Sequence, residues 1–262
     1  MRDLLARYHH RPNKSLGQHF LADPNLVDRI VRTAGVGVGD RVVEVGAGTG
    51  TLTRALAATG AHVVAYEIDR HLAPLLEEAL DGTAVEIRFE EATVAALRTG
   101  LGDGPWVMVA NLPYNVGTPL LLDTLRTVPA VVRFVVMVQR EVADRLGAEP
   151  GSRTYGLPTV VAGLRSRITV AFAVGREVFV PPPDVDSAVV VLERVEPPAG
   201  VERAEALAAA AFGQRRKMLR RSLATVLADA TAILDAAGID PAARPETLAP
   251  LDFVRLAAAE AA

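Results

Sequence analysis

Arg41-Val42-Val43-Glu44-Val45-Gly46-Ala47-Gly48-Thr49-Gly50-Thr51 reads as a strand, a tight turn and the start of a helix. The β-branched run ends at three closely spaced glycines, and Thr51 to Thr59 then carries Leu52, Leu56 and several alanines at helical spacing. Glycines let the backbone turn sharply and approach a ligand without Cβ clashes, and the amides at the following helix start attract negative groups. The spacing is G-x-G-x-G, because residue 51 is threonine, whereas dinucleotide sites use G-x-G-x-x-G. That difference favours a nucleoside with an amino-acid tail over a pyrophosphate cofactor, and S-adenosylmethionine is such a ligand.

About twenty residues beyond Gly46, His62 to Asp69 forms a second strand ending in acids. Glu67, with Ile68 beside it, is the candidate for the ribose hydroxyls. Asp69 is the better N-cap for a helix starting near Arg70. Ala84 to Phe89 reads as a third strand, followed by Glu90-Glu91-Ala92. Those carboxylates have two readings: one accepts from an adenine amino group, or both start the helix Thr93 to Leu97 and complement its dipole. Trp106 to Ala110 and Val132 to Val138 are further strands, with helices over Asn25 to Ala34, Arg70 to Leu80, Thr118 to Leu125 and Arg140 to Leu146. Such alternation indicates an α/β protein with a doubly wound, Rossmann-like parallel sheet and sites at the strands' carboxyl ends. Ile168 to Val174 and Ser187 to Leu192 are expected to finish the sheet as an antiparallel pair.

The fourth strand opens into Asn111-Leu112-Pro113-Tyr114. An aromatic exocyclic amine is a poor nucleophile, so a catalyst must gather acceptors around its hydrogens. The Asn111 side chain and the Leu112 carbonyl suit that task, Pro113 stiffens the chain beyond them, and Tyr114 can stack on a base drawn out of its helix. The tetrapeptide therefore suggests methylation of an adenine nitrogen. The same residue types also make an ordinary strand-to-helix turn.

With 262 residues, half of them hydrophobic, the chain has room for one large core and a smaller unit. Glu196-Pro197-Pro198-Ala199-Gly200 is the best linker, dividing a domain over 1–196 from a helical domain over 197–262. No run of eighteen apolar residues occurs and the first ten residues lack a signal-peptide core, so no membrane partner and a cytoplasmic location are expected. The absence of cysteine excludes disulfides and thiol nucleophiles, and five mostly scattered histidines form no metal cluster. A net charge of −3 argues mildly against a general nucleic-acid binder. Its distribution matters more: Arg2, Arg7, Arg11 and Lys14 oppose only Asp3 at the start, and Arg215, Arg216, Lys217, Arg220 and Arg221 form a second block. Phe212 to Ala228 is expected to be a helix burying Phe212, Leu219, Leu223, Val226 and Leu227. The basic flank beside that face is either a phosphate-binding surface or a solvated one. No pairing surface is obvious, which suggests a monomer.

Together these motifs resemble the ribosomal RNA adenine N6-dimethyltransferase family, and most closely its small-subunit branch. The matching stretches are Leu16 to Leu21, Glu44 to Gly50, Glu67 to Asp69, Asn111 to Asn115, Gln139 to Val142, Pro181 to Val189, and Phe212 to Leu223. The resemblance implies a class I methyltransferase fold with a small C-terminal α-helical domain that binds RNA. It implies that Gln18, His19 and Leu21 line the methionine end of S-adenosylmethionine, that Gly46 and Gly48 pass beneath it and that Glu67 holds its ribose. It further implies that Asn111, Leu112, Pro113 and Tyr114 form the target-base pocket, with Asn111 also at the cofactor. The substrate so implied is small-subunit rRNA or a pre-30S particle, with two neighbouring adenosines near the 3′ end each methylated twice. Glu91-Ala92 departs from the family's usual aspartate followed by a small residue, so the carboxylate meant for the cofactor's adenine is one methylene longer. Two rival readings are a large-subunit rRNA dimethyltransferase of the macrolide-resistance type, and an assembly factor with weak or no turnover. The Pro181-to-Ser187 segment and the basic block favour the small-subunit branch over the first.

Overall fold

The computed structural model describes every residue from Met1 to Ala262. Its strands are β1 (Phe20–Leu21), β2 (Arg41–Val45), β3 (His62–Tyr66), β4 (Glu86–Arg88), β5 (Trp106–Asn111), β6 (Val131–Gln139), β7 (Ser166–Val174), β8 (Phe179–Val180) and β9 (Ser187–Arg194). Seven form one sheet in the order β4-β3-β2-β5-β6-β9-β7. Strands β2 to β6 are mutually parallel where they pair, and β9 returns antiparallel to β6. The strand expected over Ala84 to Phe89 is shorter, and those expected near Val132, Ile168 and Ser187 run slightly longer.

Valine-rich strands suit this sheet because both faces are covered. Val42, Val43, Val63, Val64, Met108, Val109, Val135 and Val136 are essentially inaccessible to solvent. Helix α2 (Pro24–Ala34), following α1 (Arg2–Arg7), buries Leu26, Val27, Ile30 and Ala34, starts on an Asp23 cap and stops at Gly35 in the left-handed region. Order reverses at β2, which has β3 on one side and β5 on the other. Ligands of open α/β sheets bind beyond the carboxyl ends of the strands at such a switch point, which here lies between Gly46 and Asn111.

The second compact unit comprises Asp144–Ile168 and Arg194–Ala262, whereas Met1–Ala143 and Thr169–Glu193 make the first. The division expected at 196–197 is thus close to the last of the three crossings, at 193–194. Residues 144–168 join the helical unit instead, because Tyr155, Val160 and Leu164 are buried with Leu207, Leu219, Leu234 and Phe253. Within that unit the Arg165 guanidinium meets the Glu205 carboxylate at 2.5 Å, both side chains buried.

The continuous helix expected over Phe212 to Ala228 is not formed. One helix (Val201–Gly213) ends before the cations, and a single turn (Leu219–Ser222) follows. Gly213 is a poor helix residue, and stacked like charges in the next turn would repel. The Leu219 and Arg220 amides instead donate to the Ala243 and Pro241 carbonyls. Leu219, Leu223 and Leu227 are buried as expected, but Val226 is 38% exposed. No helix in the protein is long and apolar enough to cross a membrane.

Candidate active site

Two adjoining cavities open at the carboxyl end of the sheet. The first, about 720 Å³, is walled by Leu16 to Leu21, the glycine turn, Glu67, Ile68 and Asn111 to Tyr114. The second, about 940 Å³, shares Leu16, Gly46, Ile68 and Pro113 and extends past Glu90, Glu91 and Ala92. Every residue expected to hold the cofactor therefore lines one of the two, with Glu91 and Ala92 placed at the far end from Gln18, His19 and Leu21.

The glycine turn combines positive backbone φ with hydrogen bonds to the neighbouring strand. Gly46 and Gly48 have φ of +80° and +57°, and a Cβ on Gly48 would come within 3.1 Å of the Phe20 ring. The Gly46 and Ala47 amides both donate to the Tyr66 carbonyl, tying the turn to the end of β3. Glu67, next in the chain, points back: its two carboxylate oxygens accept from the Gly48 and Asp69 amides, each at 2.8 Å. Burial pushes the Glu67 carboxyl above its ordinary value, and the backbone amides oppose that shift. Glu67 therefore sits at the cleft with lone pairs beyond those two bonds. Asp69 caps the next turn by accepting from the His71 amide, as its position predicts.

Glu44 opens one of the matching stretches but is given no role by it, though a carboxylate inside an apolar strand is an unusual choice. It is buried, one oxygen has no partner, and burial, with the nearby Glu67 charge, raises its carboxyl from 4.5 to about 8. The folded protein then binds more protons than the unfolded chain between those values, so stability falls as pH rises through that window. Chemical denaturation should show the native protein losing on the order of a few kcal/mol more than Glu44→Gln between pH 5 and pH 8. Equal losses in the two proteins would contradict it.

Asn111 ends β5. Its Nδ2 donates to the His19 carbonyl at 3.1 Å, which orients the side chain and leaves Oδ1 buried without a partner. A buried acceptor left unpaired is costly unless something else donates to it. In the turn that follows, the Gly117 amide donates to the Pro113 carbonyl at 2.7 Å rather than to that of Leu112. Tyr114 is half-buried, with its ring stacked on His19 (centroids 5.7 Å apart, 26° between planes).

Gln18 lines the first cavity, but its amide is already engaged: Nε2 donates to Asp69 at 2.7 Å and Oε1 accepts from the Asn13 amide. It thereby locks residues 13–18 beside the cleft. Glu90 and Glu91 do not cap the next helix. Thr93 does, accepting from the Ala96 amide, so the glutamates remain in the cavity wall. Sequence reading also misses Phe20, Thr49, Thr51 and Leu52 as lining residues, although Phe20 lies inside one of the motifs.

Arg11 and Lys14 are exposed beside the short turn Lys14–Leu16. In the helical unit Arg216, Lys217, Arg220 and Arg221 are exposed, while Arg215 is partly buried and donates to the Arg153 carbonyl.

A doubly wound sheet, a glycine turn after its first long strand, an acid after the second and a cleft at the switch point define a class I S-adenosylmethionine-dependent methyltransferase, the class of its structural neighbours. The model of the family described as ribosomal RNA adenine dimethylase matches residues 9–261, and the chain belongs to that family. It is 48% identical over 272 residues to the ribosomal RNA small subunit methyltransferase A of Nocardia farcinica (strain IFM 10152), covering 98% of this chain and 93% of that one. It is 46% identical over 268 residues to the protein of that name from Streptomyces avermitilis, covering 98% and 91%. Among solved structures, a dimethyladenosine transferase from Plasmodium falciparum superposes with a TM-score of 0.79 at 24% identity, over 91% of this chain and 96% of the other. The 23S rRNA methyltransferase ErmE gives 0.71 at 28% identity, over 93% and 100%.

Proposed function

We propose that this enzyme dimethylates N6 of two adjacent adenosines near the 3′ end of small-subunit (16S) rRNA, with S-adenosylmethionine as donor and the rRNA within a pre-30S particle as substrate. The observation that carries the reading is Asn111 Oδ1, a buried acceptor without a partner at the switch point of the sheet. Its fellow acceptor is the Leu112 carbonyl. The relatives named as small subunit methyltransferases are far more similar in sequence than ErmE, which favours the small-subunit substrate over the large.

The residues present fit the cofactor. Gly46 and Gly48 leave room that a Cβ would fill, Glu67 offers carboxylate lone pairs for ribose hydroxyls, and Glu90 or Glu91 can accept from an adenine amino group at the far cavity. His19 and Leu21 line the methionine end, with Gln18 holding that wall in place. When bound, S-adenosylmethionine supplies an electrophilic methyl group on a sulfonium.

The chain's own work is positioning. Tyr114 offers an aromatic face to an extruded adenine, and Asn111 and Leu112 receive its amino hydrogens, which localises the nitrogen lone pair. That nitrogen becomes acidic only as the new bond forms, so no side-chain base is needed at the start and water can take the proton.

Transfer of labelled methyl groups to purified unmethylated small subunits, with large subunits in parallel, tests the substrate. Incorporation into small subunits alone is expected. Labelling of large subunits alone would favour the ErmE-like reading, and cofactor binding without labelling of either would favour an assembly factor.

We assign the RNA-binding role to Arg11 and Lys14 in the first unit and to Arg215, Arg216, Lys217, Arg220 and Arg221 in the second. Exchanging Arg216, Lys217, Arg220 and Arg221 for alanine should weaken binding to small-subunit RNA. The slope of log affinity against log salt should flatten by roughly 0.7 to 0.9 for each phosphate that is no longer neutralised. Filter binding across a salt series reads both, and an unchanged slope would remove these residues from the interface.

A further inference from the structure

Ser187 begins β9, opposite Gln139 at the end of β6, and its side chain is wholly buried. Its hydroxyl oxygen lies 2.5 Å from the Tyr114 hydroxyl. A serine so placed in a valine-rich strand gains nothing from apolar packing, and a buried hydroxyl is costly unless paired. Its partner here is the Tyr114 ring that the base is to meet. The opposite constraint comes from His19: its ring stacks on Tyr114, and its Nδ1–H donates to the Pro181 carbonyl at 2.8 Å. Tyr114 is therefore held at two points. His19 covers one face and Ser187 fixes the far end of the ring, leaving the ring only its other face to offer a purine.

We propose that Ser187 is a positioning residue for methyl transfer, acting through the Tyr114 hydroxyl to set the plane on which the target adenine stacks. This rests on Tyr114 being the base platform. The same hydrogen bond gives the Pro181-to-Ser187 segment its role at the site: it supplies the carbonyl that holds His19 and the hydroxyl that holds Tyr114, so both restraints on the ring come from one loop and its strand. Tyrosine, rather than the phenylalanine that would stack equally well, is then required because the ring must be oriented as well as present. A misplacement of even 1 Å at a reacting centre can cost about a hundredfold in rate. Loss of one hydrogen bond that only restrains a ring should cost less, about tenfold.

The test is a double-mutant cycle with Ser187→Ala and Tyr114→Phe, read as single-turnover methyl transfer to unmethylated small subunits. Cofactor affinity by calorimetry and thermal unfolding are followed in every variant. Each single change should slow transfer about tenfold with cofactor affinity unchanged, and the double variant should be no slower than either single one. A merely structural role for Ser187 would lower the melting temperature without this non-additivity. Full transfer by Ser187→Ala, or losses that multiply in the double variant, would overturn the proposal. Should Ser187→Ala fail to fold, Tyr114→Phe alone decides: full activity in that variant removes the hydroxyl's role. Tyr114→Ala separates this from the underlying reading. If Tyr114→Ala retains full transfer, the base platform itself is wrong; if it is inactive while Tyr114→Phe is fully active, only the role of Ser187 fails.

Discussion

Asn111→Ala is expected to bind S-adenosylmethionine almost as the native protein does and to transfer methyl groups at least about a hundredfold more slowly. The side chain has two functions at separate atoms. Nδ2 is spent on the His19 carbonyl, while Oδ1 is buried and unpartnered. An unsatisfied buried acceptor is costly until a donor reaches it, and an adenine amino group is such a donor. Alanine removes the acceptor from the one place where the amine must be pyramidal, and the remaining Leu112 carbonyl can take only one of two hydrogens. Asn111→Asp is the sharper companion: it preserves an acceptor but cannot donate to His19, so transfer should fall while part of the rate remains. Single-turnover transfer with calorimetry on the same samples measures both quantities. Native turnover by Asn111→Ala would remove the acceptor role assigned here.

Glu67→Ala should have the second large effect, and on the other quantity. Its carboxylate accepts from the Gly48 amide on the glycine turn and from the Asp69 amide at the start of the next helix. Removing it leaves two backbone donors unpaired beside the cleft and takes away the acceptor for ribose hydroxyls. Charged hydrogen bonds are worth about 1.5–3 kcal/mol, so cofactor affinity should weaken by about a hundredfold. Glu67→Gln keeps one acceptor oxygen and should lie between the two. Titration calorimetry decides, and native affinity in Glu67→Ala would show that the ribose is held elsewhere.

Much of this site is legible in sequence because its parts are local. The glycine turn, the acid ending β3 and the Asn111 tetrapeptide each lie within a few residues of a strand's end, where period and turn chemistry speak clearly. Pairings between remote segments are not legible. The pairing of β1 with β8, and of Ser187 with Tyr114, joins residues far apart in sequence, and nothing local to either partner announces the other. Helical spacing around Val160 likewise says that a residue is buried but not in which core, which is why the linker at 196–200 alone places residues 144–168 with the sheet. The broken helix after Gly213 shows the opposite failure. Its apolar period is genuine, since Leu219, Leu223 and Leu227 are buried, yet a glycine and a run of cations interrupt the backbone that such a period would otherwise require.

Glu44 illustrates a signal that is present in the sequence without belonging to any motif's expected ligand set. A carboxylate flanked by valines in a buried strand must be neutral, paired or functional, and its place before Gly46 puts it in the wall of the first cavity. The departure at Glu91 is a change in reach, and the open cavity beside Glu90, Glu91 and Ala92 offers space for the longer side chain.

The most direct measurement is primer-extension mapping of small-subunit rRNA from unmethylated particles incubated with the protein and S-adenosylmethionine. Strong stops at two adjacent adenosines near the 3′ end are expected, present with the native protein and absent with Asn111→Ala. Stops at other nucleotides, or equal stops with Asn111→Ala, would contradict the account.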